Sequence, residues 1–203
     1  MSNRWGMARP GRGSEDGWFR LGSIDVNTVL LVVVLVIVSV IEWAVEPMGK
    51  PVQNLLTLDP DPVLHGQLWR LVTWPIAYPG GIGLFDVVAI FIFWYFGTEI
   101  ESQLGRKKMA WFLGLVTVGL ALLWMAVVEL SSLYGVLSSL GQLELMVLLL
   151  FIAENPHRRF FFNIPGWVIG VIIVAIEVLG YVGKREGLLL LNFALGLVLT
   201  AIV

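Results

Sequence analysis

Glu42, Asp86, Glu144 and Glu177 are carboxylates that fall in or near stretches that are otherwise apolar. A charged carboxylate in hydrocarbon is costly, so such a group is neutral, paired, or close enough to an interface to reach water. Glu42 and Asp86 stand near the ends of their stretches, where headgroups or water are within reach. Glu144 and Glu177 stand deeper. Two arrangements suit them: protonation or pairing with a polar side chain of the same bundle such as Asn192, or an ion pair with a lysine or arginine of another membrane protein. Other chemistries lack their residues. There is no cysteine, hence no disulfide, thiolate metal site or cysteine nucleophile. H-E-x-x-H and Walker A are absent, and the two histidines, His65 and His157, are far apart. Only Asp86 among the aspartates falls within an apolar stretch, so no intramembrane aspartate pair exists. Neither a voltage-sensor row of arginines nor the broken paired helices of an inverted-repeat transporter occurs. No cofactor and no metal are expected.

The elements that must hold these residues follow from composition. Of 203 residues, 58% are hydrophobic and 14% charged, against roughly 25% charged in a soluble domain. Mean hydropathy is +0.86. A core of this size cannot hide that much apolar surface from water, so the surplus faces lipid. The net charge of -2 lacks the strong positive excess that binding along a nucleic-acid backbone needs, which argues against nucleic acid as a partner. At about 20 residues per span, the apolar runs read as six: 26–45, 84–100, 109–128, 134–152, 164–181 and 187–203. The fold class is all-α, a polytopic membrane protein. Residues 1–25 form a polar tail, a linker or partner-binding arm, and 26–203 one six-helix domain. The first run is not a cleaved leader, being too long, lacking a small-x-small site and following that tail. The last run spans about 26 Å as helix, which leaves room for a further polar segment beyond it.

Charge orients the bundle. With both ends cytoplasmic, Arg4, Arg9, Arg12, Arg20, Arg106, Lys107, Lys108, Arg158 and Arg159 fall inside, and only Lys50, Arg70, Lys184 and Arg185 outside. Residues 46–83 are too long and too apolar for a plain connector. Asp59-Pro60 and Asp61-Pro62 break any long helix, and Trp69, Trp74 and Tyr78 suit the headgroup level. Short helices half sunk in the outer leaflet are expected there. Arg158, Arg159 and Phe160 to Phe162 read as an anchor at the opposite interface.

The runs GQLWRLVTWPIAYPGG and FWYFGTEIESQLG, followed by the turn Gly105-Arg106-Lys107-Lys108, resemble the rhomboid intramembrane proteases. The residues that carry the likeness are Trp69-Arg70 in the loop, then Trp94-Tyr95-Phe96-Gly97 and Glu101 closing the second span; the IPGW segment opening the fifth extends it. The resemblance implies a six-helix bundle with a long interfacial first loop. It implies structural roles for Trp69, Arg70, Gly97 and Glu101, with Arg70 and Glu101 fixing the loop to the bundle. It also implies a Ser–His dyad: a serine in G-x-S-G on span 4, a histidine on span 6, and a His and an Asn on span 2 at the oxyanion. Here Ser138, with Ser139 beside it, stands nearest the nucleophile position, but Val136 replaces the first glycine. Phe85 and Ala89 occupy the span 2 positions, Leu189 the position of the base, and Asn192 that of a small residue after it. A serine without a base is a poor nucleophile at neutral pH. Glu144, six residues beyond Ser138, points to another side of its helix, and Glu177 is the one carboxylate with a route to the site.

The resemblance therefore implies a pseudoprotease and not an enzyme: an accessory or scaffold subunit, hetero-oligomeric with other integral membrane proteins and surrounded by lipid. Glu144, Glu177 and Asn192 are its candidate partner contacts. A bacterial plasma membrane is the expected location, and an envelope transport complex the expected kind of assembly. Two other readings stand beside it: a divergent serine protease using Ser138, and a free-standing lipid-binding or bilayer-perturbing protein.

Overall fold

The computed structural model describes residues 18–21, 24–45, 51–131, 135–159, 163–183, 185 and 187–202. The tail to residue 17, Lys50, Lys184 and Phe160 to Phe162 lie outside the described residues. Two short strands, β1 (Phe19–Leu21) and β2 (Ile24–Val26), come first, and helices follow: α1 (Thr28–Val45), α2 (Pro51–Leu56), α3 (Pro60–Leu64) and α4 (Arg70–Thr73). A 3-10 turn (Trp74–Ile76) leads to α5 (Leu84–Leu104), α6 (Arg106–Ser131), α7 (Gly141–Glu154), α8 (Gly166–Gly183) and α9 (Gly187–Ile202). The strands lie at the end of the stretch read as a polar tail, which extends to residue 25. They pair antiparallel with Phe19 opposite Val26 and Leu21 opposite Ile24.

α1 is rich in valine and isoleucine, which are only fair helix formers in water. Away from water, each backbone group needs an internal partner, and a helix supplies one within the segment. Its first turn is fully capped. Asn27 accepts from the N–H of Leu30 (2.8 Å), while the carboxylate of Glu101 accepts from Thr28 (2.7 Å) and Val29 (2.9 Å). Those N–H groups have no partner inside the helix.

Each of the six apolar runs contains a helix, and three helices are long and apolar enough to cross a membrane: α1, α6 over 106–130, and α8. α5 is long but carries Asp86, Glu99 and Glu101. α9 is apolar over the shorter stretch 189–201. α7 begins at Gly141, later than the 134 expected for the fourth run. The residues before it pair with the first loop: Leu137 and Leu58 exchange two N–H···O bonds of 2.9 Å.

α7 is the central helix, burying Leu143, Met146, Val147, Leu150 and Phe151. It packs on α5, α9 and α8, and α1 also packs on α5. Small residues let these helices approach. A Cβ on Gly97 would lie 3.0 Å from both methyls of Val29. Gly97→Ala is therefore expected to destabilise the protein by about 1–3 kcal/mol through overpacking. Gly114, on α6, has open space around it. Gly114→Ala should be neutral or stabilising by up to about 1 kcal/mol, since alanine favours helix. Thermal unfolding of the two variants in one detergent checks the contrast.

One end of the bundle gathers the start of α1, the α5–α6 turn and the end of α7. Trp18 donates from Nε1 to Thr28 Oγ1 and lies against the Arg106 guanidinium. Asn155 donates to Gln103, and Arg158 pairs with Glu99 at 2.9 Å. The opposite end carries α2 to α4 and residues 135–140.

Candidate functional site

The end of a short helix leaves carbonyls that need partners. α2 ends within the loop; Thr57 Oγ1 donates to Gln53 O (3.3 Å) and Asn54 O (3.0 Å), and further donors to its last carbonyls come from the α4 segment. Arg70 donates from Nη1 to Asn54 O (2.5 Å) and Thr57 O (2.6 Å). Trp69 Nε1 donates to Leu55 O (3.2 Å) and Thr73 Oγ1 to Leu56 O (2.9 Å). Arg70 Nε donates to Gln67 Oε1 (2.8 Å), and the arginine is 5% exposed. A cation on a helix C-terminus is favourable there, since the carbonyls carry partial negative charge. The next short helix is opened by the pair that separates it from α2: Asp59 accepts from the N–H of Asp61, and Pro60 takes the first helical position.

A second polar chain ties the loop to the bundle through Gln53, a residue with 0% exposure. Its Nε2 donates to Ser39 O (2.8 Å), Ser39 Oγ (3.0 Å) and Glu42 Oε2 (2.8 Å) on α1. Its Oε1 accepts from the N–H of Tyr78 (2.7 Å), whose hydroxyl accepts from the N–H of Leu140 at 3.3 Å, just before α7. The neighbouring Ser139 has φ +77°. Its N–H donates to Trp74 O (3.1 Å) and Ala77 O (3.0 Å). Glu42 is thus held by Gln53, and Asp86 accepts from Gly83 N–H at the start of α5. Both carboxylates brace the fold near the ends of their helices.

Trp74 and Tyr78 are corrected: both are buried. Trp74 donates from Nε1 to Thr117 O (3.2 Å), so the ring fills the bundle and its polar edge has a partner. Burial pushes the Tyr78 phenol up to about 12 from 10.0, with the Leu140 N–H acting in the opposite direction and Asp86 adding slightly. The folded state therefore holds this proton more tightly than the unfolded chain. Its contribution is intact below pH 10 and is lost as pH rises through about 12, amounting to about 2–3 kcal/mol. The unfolding midpoint of the wild type should fall more steeply between pH 10 and 12 than that of Tyr78→Phe.

Ser138 lies in the non-helical segment before α7 and not on a helix face. Phe85, at the first turn of α5, is 87% exposed and points outward, while Ala89 and Leu189 are half-buried. The positions compared with the family's catalytic groups thus hold apolar side chains. Of the residues assigned structural roles, Trp69 and Arg70 cap α2, and Gly97 lets α5 meet α1. Glu101 acts at the other end of the bundle, on the start of α1, and does not touch the loop.

The three candidate partner contacts lie along α7, α8 and α9. Asn192 is fully buried and donates from Nδ2 to Gln142 Oε1 (3.4 Å), while its Oδ1 has no partner among the described residues. Glu144 and Glu177 are half-buried and close enough to interact. Gln53, Thr73 and Gln142 were not singled out in the sequence. A lone Gln in PVQNLL carries no spacing signal, and Thr73 matters only because α4 lies beside α2.

These features define an integral membrane protein, a helical bundle whose long first loop is bound into it by buried polar groups. The chain belongs to the family described as Eukaryotic integral membrane protein (DUF1751), which it matches over residues 29–139. That stretch contains all but the first residue of α1, the loop with Gln53, Arg70 and Tyr78, and Gly97, Glu101 and Ser138. No curated protein matches the chain. The membership corrects the expected location: the family is eukaryotic, so a bacterial plasma membrane does not apply.

Proposed function

We propose that this chain is a non-catalytic, rhomboid-like membrane protein serving as an accessory or scaffold subunit of a larger membrane complex. In this reading α1, α5, α6, α7, α8 and α9 are all embedded, with residues 106–108 and 158–159 facing the cytoplasm. α7 at about 21 Å is shorter than the hydrocarbon, which a helix enclosed by protein tolerates. The gathering of Arg106, Lys107, Lys108, Arg158 and Arg159 at one end supports the orientation.

The observation that carries the reading is the arrangement of residues 137–140. Leu137 is bridged to Leu58, Ser139 N–H is held by Trp74 and Ala77, and Leu140 N–H by Tyr78. A hydrolase needs free N–H donors for an oxyanion and a base beside its serine; here these N–H groups are committed to backbone and tyrosine oxygens. Association is supported by the mid-helix carboxylate Glu177 on α8, whose Ile172, Ile176 and Leu179 are exposed. A carboxylate at that depth suits a basic residue on a neighbouring protein. A serine-directed fluorophosphonate probe tests the catalytic half. Equal, background labelling of the wild type and Ser138→Ala is expected. Labelling, or cleavage of a membrane-anchored substrate, that disappears in Ser138→Ala would overturn it.

A further inference from the structure

We propose that the groove between α5 and α7, at the end of the bundle bearing Arg158 and Arg159, binds one anionic phospholipid from the adjoining leaflet. The groove has a volume of about 680 Å³, within the range of small-ligand sites. Its walls are aromatic. Phe91 stacks on Tyr95 at 6.4 Å, Tyr95 meets Phe96 edge-on at 5.0 Å, and Phe96 meets Phe151 at 4.8 Å. The rim is cationic. Arg158 lies 5.3 Å from the centre of the Phe151 ring and pairs with Glu99 at 2.9 Å. Arg159 also lines the groove, is exposed, and has no carboxylate partner among the described residues.

Two guanidinium groups against one carboxylate leave a positive rim, and basic pockets between helices at a cytoplasmic face select anionic headgroups. Phe91 lies eight residues from Glu99 on α5, a rise of about 12 Å. The apolar wall therefore runs away from the charged rim, as an acyl chain runs away from its phosphate. A partner helix would fill the aromatic wall but would give Arg159 no anion unless it carried one itself. A phospholipid supplies both parts in one molecule. The inference rests on α5 and α7 lying in the bilayer.

The test reconstitutes the full chain in phosphatidylcholine vesicles containing about 20 mol% phosphatidylserine, to approximate an anionic leaflet. In parallel samples, an acyl-chain diazirine is carried by one lipid or the other, and crosslinks are mapped by peptide. Labelling of residues 91–96 and 151 by phosphatidylserine should exceed its share of the lipid roughly fivefold, the factor expected for one exposed arginine. Arg159→Gln combined with Arg158→Gln should bring it to parity. Glu99→Gln, which removes the competing carboxylate, should raise it. Equal labelling by the two lipids in the wild type, or enrichment that survives the double substitution, overturns the site while leaving the membrane placement intact. Labelling of these residues by neither lipid, with α1 and α8 labelled normally, overturns the placement of α5 and α7 and the site with it.

Discussion

Arg70→Ala is expected to lower stability by about 3–5 kcal/mol, where an average substitution costs about 1. The side chain donates to Asn54 O, which also accepts from Thr57 Oγ1, and to Thr57 O, and is almost wholly buried. Truncation removes a charged hydrogen bond from each, about 1.5–3 kcal/mol apiece, and the packing of the stem. Arg70→Lys restores a cation at the end of α2 but cannot fork to two oxygens while donating to Gln67. It should recover about half of the loss, given the usual strength of one charged hydrogen bond. Thermal unfolding of the full chain in detergent, followed with limited proteolysis of the loop, reads both. A midpoint for Arg70→Ala no lower than that of an exposed neighbour such as Leu68→Ala would contradict this account of the loop.

Gln53→Leu should cost about 2–4 kcal/mol, because one side chain serves α1, the loop and the approach to α7. The substitution keeps the bulk. It leaves the Tyr78 N–H without its acceptor and takes a donor from Ser39 O and Glu42. Tyr78 continues the same chain to Leu140. Gln53→Leu and Tyr78→Phe should therefore be non-additive, with a coupling of at least about 0.5 kcal/mol. Additive losses within error would show two independent contacts and no chain.

Much of the bundle was legible because length and apolar content suffice to place a helix where water is absent. Each of the six runs contains a helix, with ends a few residues from those expected. The start of α7 was not legible. Residues 135–140 are nearly as apolar as the helix that follows, and hydropathy cannot register the left-handed Ser139 or the pairing of Leu137 with Leu58. Trp74 and Tyr78 mislead for a related reason. An aromatic ring with a polar edge suits both a headgroup layer and a core that offers a hydrogen-bond partner, and the partners, Thr117 O and Leu140 N–H, are distant in sequence. Arg70 and Gly97 were singled out by resemblance, and the structure supplies a physical role for each: donors to α2 carbonyls and close approach of α1. Gln53 offered no such cue, since its importance comes wholly from what three other segments place around it.

Quantitative co-purification of the tagged full chain from its native membrane in mild detergent tests the central claim most directly. The account predicts an integral membrane partner at constant stoichiometry, retained by Ser138→Ala and reduced at least about tenfold by Glu177→Gln, since loss of a buried ion pair amounts to several kcal/mol. A partner-free protein, or a partner indifferent to Glu177 and lost with Ser138, would contradict it.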